Sequence, residues 1–281
     1  MFADKQIDRM LRKLVRLEDT LSERLFQVVD QVEMKWYKTE ERLHQIPEAS
    51  LFTEYTEGDS WGGINAFCWF RGSYTTGKEL EGKKLYLYPK TTGYEAMLWL
   101  NGVPRGIYAA KFIEQYHGNH YCDMLVNNAK SGETMEIALE YFAGNFCIGC
   151  MPLINEEKRT FNYQVGPMDI CIRDEQYAEF LFDLKVINQL TAALDQNSFR
   201  RAELVRALIK VHEQVYYSIE DVEEDLFREA LKKAHPYLKE VLSGKNAGSA
   251  PYAGVIGHSH MDTAWLWEMD ETVKKCARTY A

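Results

Sequence analysis

The sequence predicts an α+β protein of several parts, and three observations carry that expectation. Apolar residues recur at helical spacing at the start of the chain, short aromatic runs broken by glycine fill the middle, and helical spacing returns before a linker-like stretch near the end. The expected divisions are an N-terminal helix over 1–47, a β-sandwich over 48–175, a helical linker region over 176–247 and the start of an α/β domain over 248–281. A chain of 281 residues is long enough to bury more than one core.

The opening helix is expected from Asp4 to about Arg42, because Ile7, Met10, Leu11, Leu14, Leu17, Leu21, Leu25, Val28, Val29 and Val32 fall three or four apart. Nine basic and nine acidic residues lie between Met1 and Leu43, so a solvated outer face fits this segment better than a polybasic membrane anchor. Its apolar stripe is expected to pack on a neighbouring domain or a second subunit, which leaves homo-oligomerisation open.

After Pro47 the runs Ala66–Phe70, Lys84–Tyr88, Glu95–Leu100, Tyr121–Val126 and Met135–Tyr141 read as short strands of a sandwich. Asn101-Gly102 after Leu100 predicts a type I′ hairpin, since both residues tolerate positive φ. The stretches Trp69-Phe70-Arg71, Leu80-Glu81-Gly82-Lys83 and Leu98-Trp99-Leu100-Asn101-Gly102 resemble the jelly-roll, galactose-binding-like domains that accompany many glycoside hydrolases. That resemblance raises Arg71 and Asn101 as sugar-contact candidates, although such an arginine and such a turn are often structural. Most of the aromatic rings, 13% of the chain, must be core.

Three helices are expected between Gln176 and Ser243. Their stripes are Leu181, Leu184, Ile187, Leu190 and Leu194; Leu204, Leu208, Val211 and Val215; and Leu226, Ala230, Leu231, Tyr237, Leu238 and Val241. Asp195-Gln196-Asn197-Ser198 supplies a break and a cap, and Ser218-Ile219-Glu220-Asp221 can cap the third helix. Ser243 to Pro251 reads as a linker.

Bulk properties exclude several classes. A formal net charge of −9 argues against nucleic acid, whose binding needs a concentrated basic surface. No run approaches the apolar length of a membrane span and the first residues lack a signal-peptide core, so a cytoplasmic protein without a membrane partner is expected. In that setting the six cysteines are read as reduced thiols, and Cys147-Ile148-Gly149-Cys150, with no second pair and no nearby histidine, as structural.

The chemistry lies past the linker. Tyr252–Gly257 reads as a short buried strand delivering His258-Ser259-His260-Met261-Asp262 at its carboxyl end, where α/β folds gather functional groups. Residues two apart on an extended segment point the same way, so His258, His260 and Asp262 can share a face, and imidazole and carboxylate suit zinc.

The run Gly257-His258-Ser259-His260-Met261-Asp262-Thr263-Ala264-Trp265-Leu266-Trp267, followed by Glu271-Thr272-Val273-Lys274-Lys275 and Arg278-Thr279, closely resembles the start of the catalytic domain of alpha-mannosidases of glycoside hydrolase family 38. The resemblance implies that 248–281 is the first strand and helix of an incomplete α/β barrel, and that the whole protein is a zinc-dependent retaining mannosidase acting on mannose-containing oligosaccharides. Carried over by position, it makes His260 and Asp262 zinc ligands, Trp265 a wall of the mannose pocket and His258 a support behind the ligands. In the family a nucleophilic aspartate, also a ligand, and a further histidine come from downstream. No catalytic residue is therefore assigned within this chain, which is expected to be inactive alone. Asp270 and Glu268 are read as surface or capping groups.

Two rivals are weighed. A dinuclear zinc hydrolase of the metallo-beta-lactamase type would use His-x-His-x-Asp-His, but Thr263 stands where the last histidine belongs. A noncatalytic carbohydrate-binding or oligomerisation module is the alternative from another class.

Overall fold

The computed structural model describes residues 4–109, 121–144, 161–215, 222–244, 253–264 and 268–281. They fall into two compact units, one formed by residues 1–27 and 173–255, the other by 28–172 and 256–281.

The first unit is helical. Helix α1 (Asp4–Glu23) buries Met10, Leu14, Leu17 and Leu21. The helix expected to run to about Arg42 is shorter: it ends at Glu23, and Phe26–Gln31 (β1) and Met34–Thr39 (β2) are strands. Two patterns overlap here. Val28, Val29 and Val32 keep helical spacing with Leu25, yet β-branched residues favour strands, and buried Val32, Met34 and Trp36 alternate with exposed Glu33 and Lys35, the period of two that a strand requires.

Helices α2 (Glu175–Ala193), α3 (Phe199–Gln214) and α4 (Glu224–Leu242) complete the unit. One core joins Leu14, Leu17 and Leu21 to Leu181, Leu184, Ile187, Leu204, Leu208, Val211, Leu231 and Leu238. Each expected stripe thus supplies core residues, although Leu190 and Leu226 stay exposed. Asp174 caps α2 by accepting from the Tyr177 N–H at 2.9 Å, and Ser198 caps α3 by accepting from the Arg201 N–H at 3.2 Å. The cap expected at Ser218–Asp221 lies outside the described residues; α4 follows Glu223, whose side chain makes no capping bond.

The second unit is antiparallel. Further strands are β3 (Ser60–Gly62), β4 (Phe67–Thr75), β5 (Leu85–Pro89), β6 (Glu95–Leu100), β7 (Val103–Ala109), β8 (Asp123–Val126), β9 (Thr134–Phe142), β10 (Asn162–Gln164) and β11 (Met168–Arg173). They form a five-stranded sheet in the order β2-β4-β9-β6-β7, a four-stranded sheet β1-β11-β5-β8 and the short pair β10-β3. Phe70, Leu98, Leu139 and Tyr141 from the larger sheet share one core with Leu85, Leu87, Met168 and Ile170 from the smaller. The Asn-Gly turn forms as its chemistry requires: Asn101 has φ +51°, Gly102 φ +79°, and Leu100 pairs with Val103.

The central strands of the larger sheet do not alternate simply between core and solvent, because both faces are covered. Trp69, Met97, Trp99 and Ala138 project opposite to the main core and form a second cluster with Phe52, against which Leu43, Ile46 and Ala277 pack. Ala277 belongs to α5 (Met269–Tyr280), the last helix of the chain. The expected helix after the histidine motif is thus present. The buried strand expected just before that motif is not. Residues 253–262 form no strand, and Val255 and Ile256 are 94% and 90% exposed. A buried parallel strand needs neighbours and helices covering both faces, and among the described residues none pairs with this segment.

Candidate functional site

The histidine motif occupies a largely exposed stretch without regular secondary structure, followed by a left-handed residue, Ala264 at φ +51°. Nε2 of His260 lies 2.9 Å from Oδ1 of Asp262, with side chains 74% and 44% exposed. That contact leaves two donors of the types zinc prefers already adjacent. Ligand atoms bound tetrahedrally at about 2.0–2.1 Å from zinc stand about 3.3 Å from each other. A small separation of His260 from Asp262 would therefore admit a metal between them, and the donor chemistry fits. His258 is exposed one alternation earlier. Among the described residues no three His, Cys, Asp or Glu side chains form a metal-holding group. Trp265 lies outside the described residues, as do Cys147 and Cys150.

The motif is tied to the helix that follows it. The Ala264 N–H donates to Oγ1 of Thr272 at 3.0 Å, and that hydroxyl reaches the Glu268 carbonyl at 3.5 Å. Helix α5 is itself anchored by buried charge. Lys274, 3% exposed, donates to Oε1 of Glu140, 2% exposed, at 2.6 Å, and also to the Leu43 carbonyl. Arg278 pairs with Glu271 and, at 2.8 Å, with Glu95; Arg42 reaches Glu268 at 2.6 Å and Glu271 at 3.4 Å. Burial pushes the Glu140 carboxyl above its ordinary pKa, with the Lys274 ammonium and the Arg278 charge opposing the shift.

Glu268, expected to be a surface or capping group, is exposed and joins this network through Arg42. It begins α5 without a capping side-chain bond, and Asp270 is exposed. A signal was present in Glu140, a lone charge inside the apolar run Ile137–Phe142. Lys274 and Arg278 complement its charge and, with Glu271, are spaced to fall on one helix face.

Arg71 and Asn101, the two sugar-contact candidates, do come together. With Ile46, Pro47 and Glu136 they line a groove of about 530 Å³. Arg71 stands 3.9 Å from Glu136, while Asn101 accepts from the Glu136 N–H at 2.9 Å and so serves the turn. A larger groove of about 760 Å³ in the helical unit is lined by Arg228, His235 and Lys239. Its polar groups are paired locally, His235 and Lys239 both with Asp183.

The class to which the motif points is that of the glycosidases. Residues 252–281 match the family described as Glycosyl hydrolases family 38 N-terminal domain. The chain aligns with the N-terminal portion of family 38 alpha-mannosidases, as its motif residues lead one to expect.

Among relatives, it is 22% identical over 80% of its length to Alpha-mannosidase G of Dictyostelium discoideum, covering 20% of that protein. It is 23% identical over 99% of its length to Alpha-mannosidase 2C1 of Mus musculus, covering 26% of that protein. The chain thus spans about a fifth to a quarter of these relatives. Among solved structures, a beta-glucuronidase of an uncultured Clostridium sp. aligns with a TM-score of 0.35 at 12% identity, over 54% of this chain and 30% of that one. No helix among the described residues is long and apolar enough to cross a membrane.

Proposed function

We propose that this chain forms the front part of a zinc-dependent retaining alpha-mannosidase that hydrolyses terminal alpha-mannosidic bonds of oligosaccharides. The observation that carries the reading is the adjacency of His260 and Asp262 inside the stretch that matches family 38. In this reading His260 supplies an imidazole nitrogen and Asp262 a carboxylate oxygen to the metal, His258 steadies them from behind, and Trp265 walls the mannose pocket. When bound, zinc supplies Lewis-acid attraction for sugar oxygens. Asp262 serves as a ligand and not as the nucleophile, and we assign neither of the two catalytic carboxyl groups of a retaining glycosidase within this chain, so the chain alone is expected to be inactive. The buried thiols Cys68 and Cys171 accord with a reducing compartment and hence with a cytoplasmic enzyme.

The test is hydrolysis of an aryl alpha-mannoside by the full-length protein, with zinc and with a chelator. Activity lost on chelation, and lost again in Asp262→Asn, supports the reading. Undiminished turnover by Asp262→Asn would remove that residue from the metal site, and no turnover of any alpha-mannoside would overturn the mannosidase assignment.

A further inference from the structure

Three features place Thr272 in a particular position. Its hydroxyl is the acceptor for the Ala264 N–H at 3.0 Å, and Ala264, two residues beyond Asp262, has a left-handed backbone. Thr272 is 7% exposed, one turn into a helix whose inner face is held by buried, paired charges. Lys274 is clamped between the Glu140 carboxylate and the Leu43 carbonyl and lies over the Trp69 ring, 5.6 Å from its centroid. A buried ammonium that left its carboxylate would strand two charges in a poorly solvated site. Helix α5 therefore has one docking register on the sheet, and Thr272 transmits that register to the backbone carrying His260 and Asp262.

We propose that Thr272 is a positioning residue for the His260–Asp262 donor pair, and that the Glu140–Lys274 anchor makes the β-sandwich a structural part of the metal site. This rests on the zinc reading above. Thr272 touches neither donor; it acts through the Ala264 backbone, as outer groups around metal sites commonly do. The donor segment is otherwise exposed from 253 to 260, and ordering such a segment costs conformational entropy. A hydrogen bond at its far end removes part of that entropy before a metal arrives.

The experiment measures zinc affinity of the full-length protein by competition with a chromophoric chelator, alongside its thermal midpoint and its turnover at limiting and excess zinc. Thr272→Val keeps the shape and deletes the acceptor, while Thr272→Ser keeps the hydroxyl. The expected result is a loss of roughly tenfold to a hundredfold in zinc affinity for the valine variant, turnover that falls at limiting zinc and recovers in excess, and restoration by serine. Lys274→Met should weaken zinc binding in the same way. Wild-type zinc affinity in both Thr272→Val and Lys274→Met overturns the proposal, even if their midpoints fall, because packing alone would then explain both residues. Failure of the underlying reading has a different signature: zinc affinity that Asp262→Asn leaves unchanged. That result removes the donor pair and overturns the proposal with it.

Discussion

Gly102 sits at φ +79° in the β6–β7 turn, with nothing within 4 Å of the position a Cβ would take. A methyl group there meets no clash, so the whole effect of Gly102→Ala is backbone strain in the left-handed region. That variant is expected to lose about 1–2 kcal/mol of stability, read as a lower urea midpoint at unchanged slope; an unmoved midpoint would mean that the turn relaxes freely. Cys68 and Cys171 illustrate the opposite case, side chains whose chemistry is suppressed by position. Burial raises the pKa of both, that of Cys171 to about 11. Because the thiolate is the reactive form, both should resist alkylation in the native protein at pH 8 and label fully in urea, as followed by peptide mapping. Prompt labelling of Cys68 in native protein would show that the sandwich core opens.

At the scale of elements, helix α2 depends on one carboxylate. Burial alone would raise the pKa of Asp174, but hydrogen bonds from Arg228, 2.7 Å away, and from the Tyr177 N–H outweigh it and hold the carboxyl below its usual range. A depressed folded pKa means that this stabilisation is complete above the unfolded value of 3.8 and is lost as the pH falls through the lower folded value. Asp174→Ala should therefore cost about 1–2 kcal/mol at pH 7, and its deficit relative to wild type should shrink below pH 3.8. A deficit that stayed constant down to pH 2 would contradict the charge-based account. Helices α2, α3 and α4 and the β6–β7 hairpin were legible in the sequence because their signals are local: apolar spacing, a capping Ser198, an Asn-Gly pair. The boundary between α1 and β1 was not, because Leu25 to Val32 satisfies both periods and long-range pairing decides between them. The two donors of the candidate site were legible by type and spacing. Thr272 was not singled out, since a hydroxyl eight positions from its partner has no signature of its own.

For the molecule as a whole, the decisive feature is the second covered face of the five-stranded sheet. Deleting residues 268–281 would remove the cation from Glu140 and uncover Trp69, Met97 and Trp99. The shortened chain is expected to keep its strand signal in circular dichroism, unfold at lower temperature and bind a hydrophobic dye. A dye response equal to that of the intact chain would mean that α5 is not the cover. The same feature imposes an order of events during biosynthesis. Glu140 and its cation are separated by 134 positions, which a ribosome adding about 5–20 residues per second traverses in roughly 7 to 27 seconds. Throughout that interval the nascent sandwich carries an uncovered tryptophan-lined surface around the Glu140 carboxylate. Water solvates that carboxylate while the face is open, and the apolar rings around it form a surface that a chaperone would recognise until α5 emerges to close it.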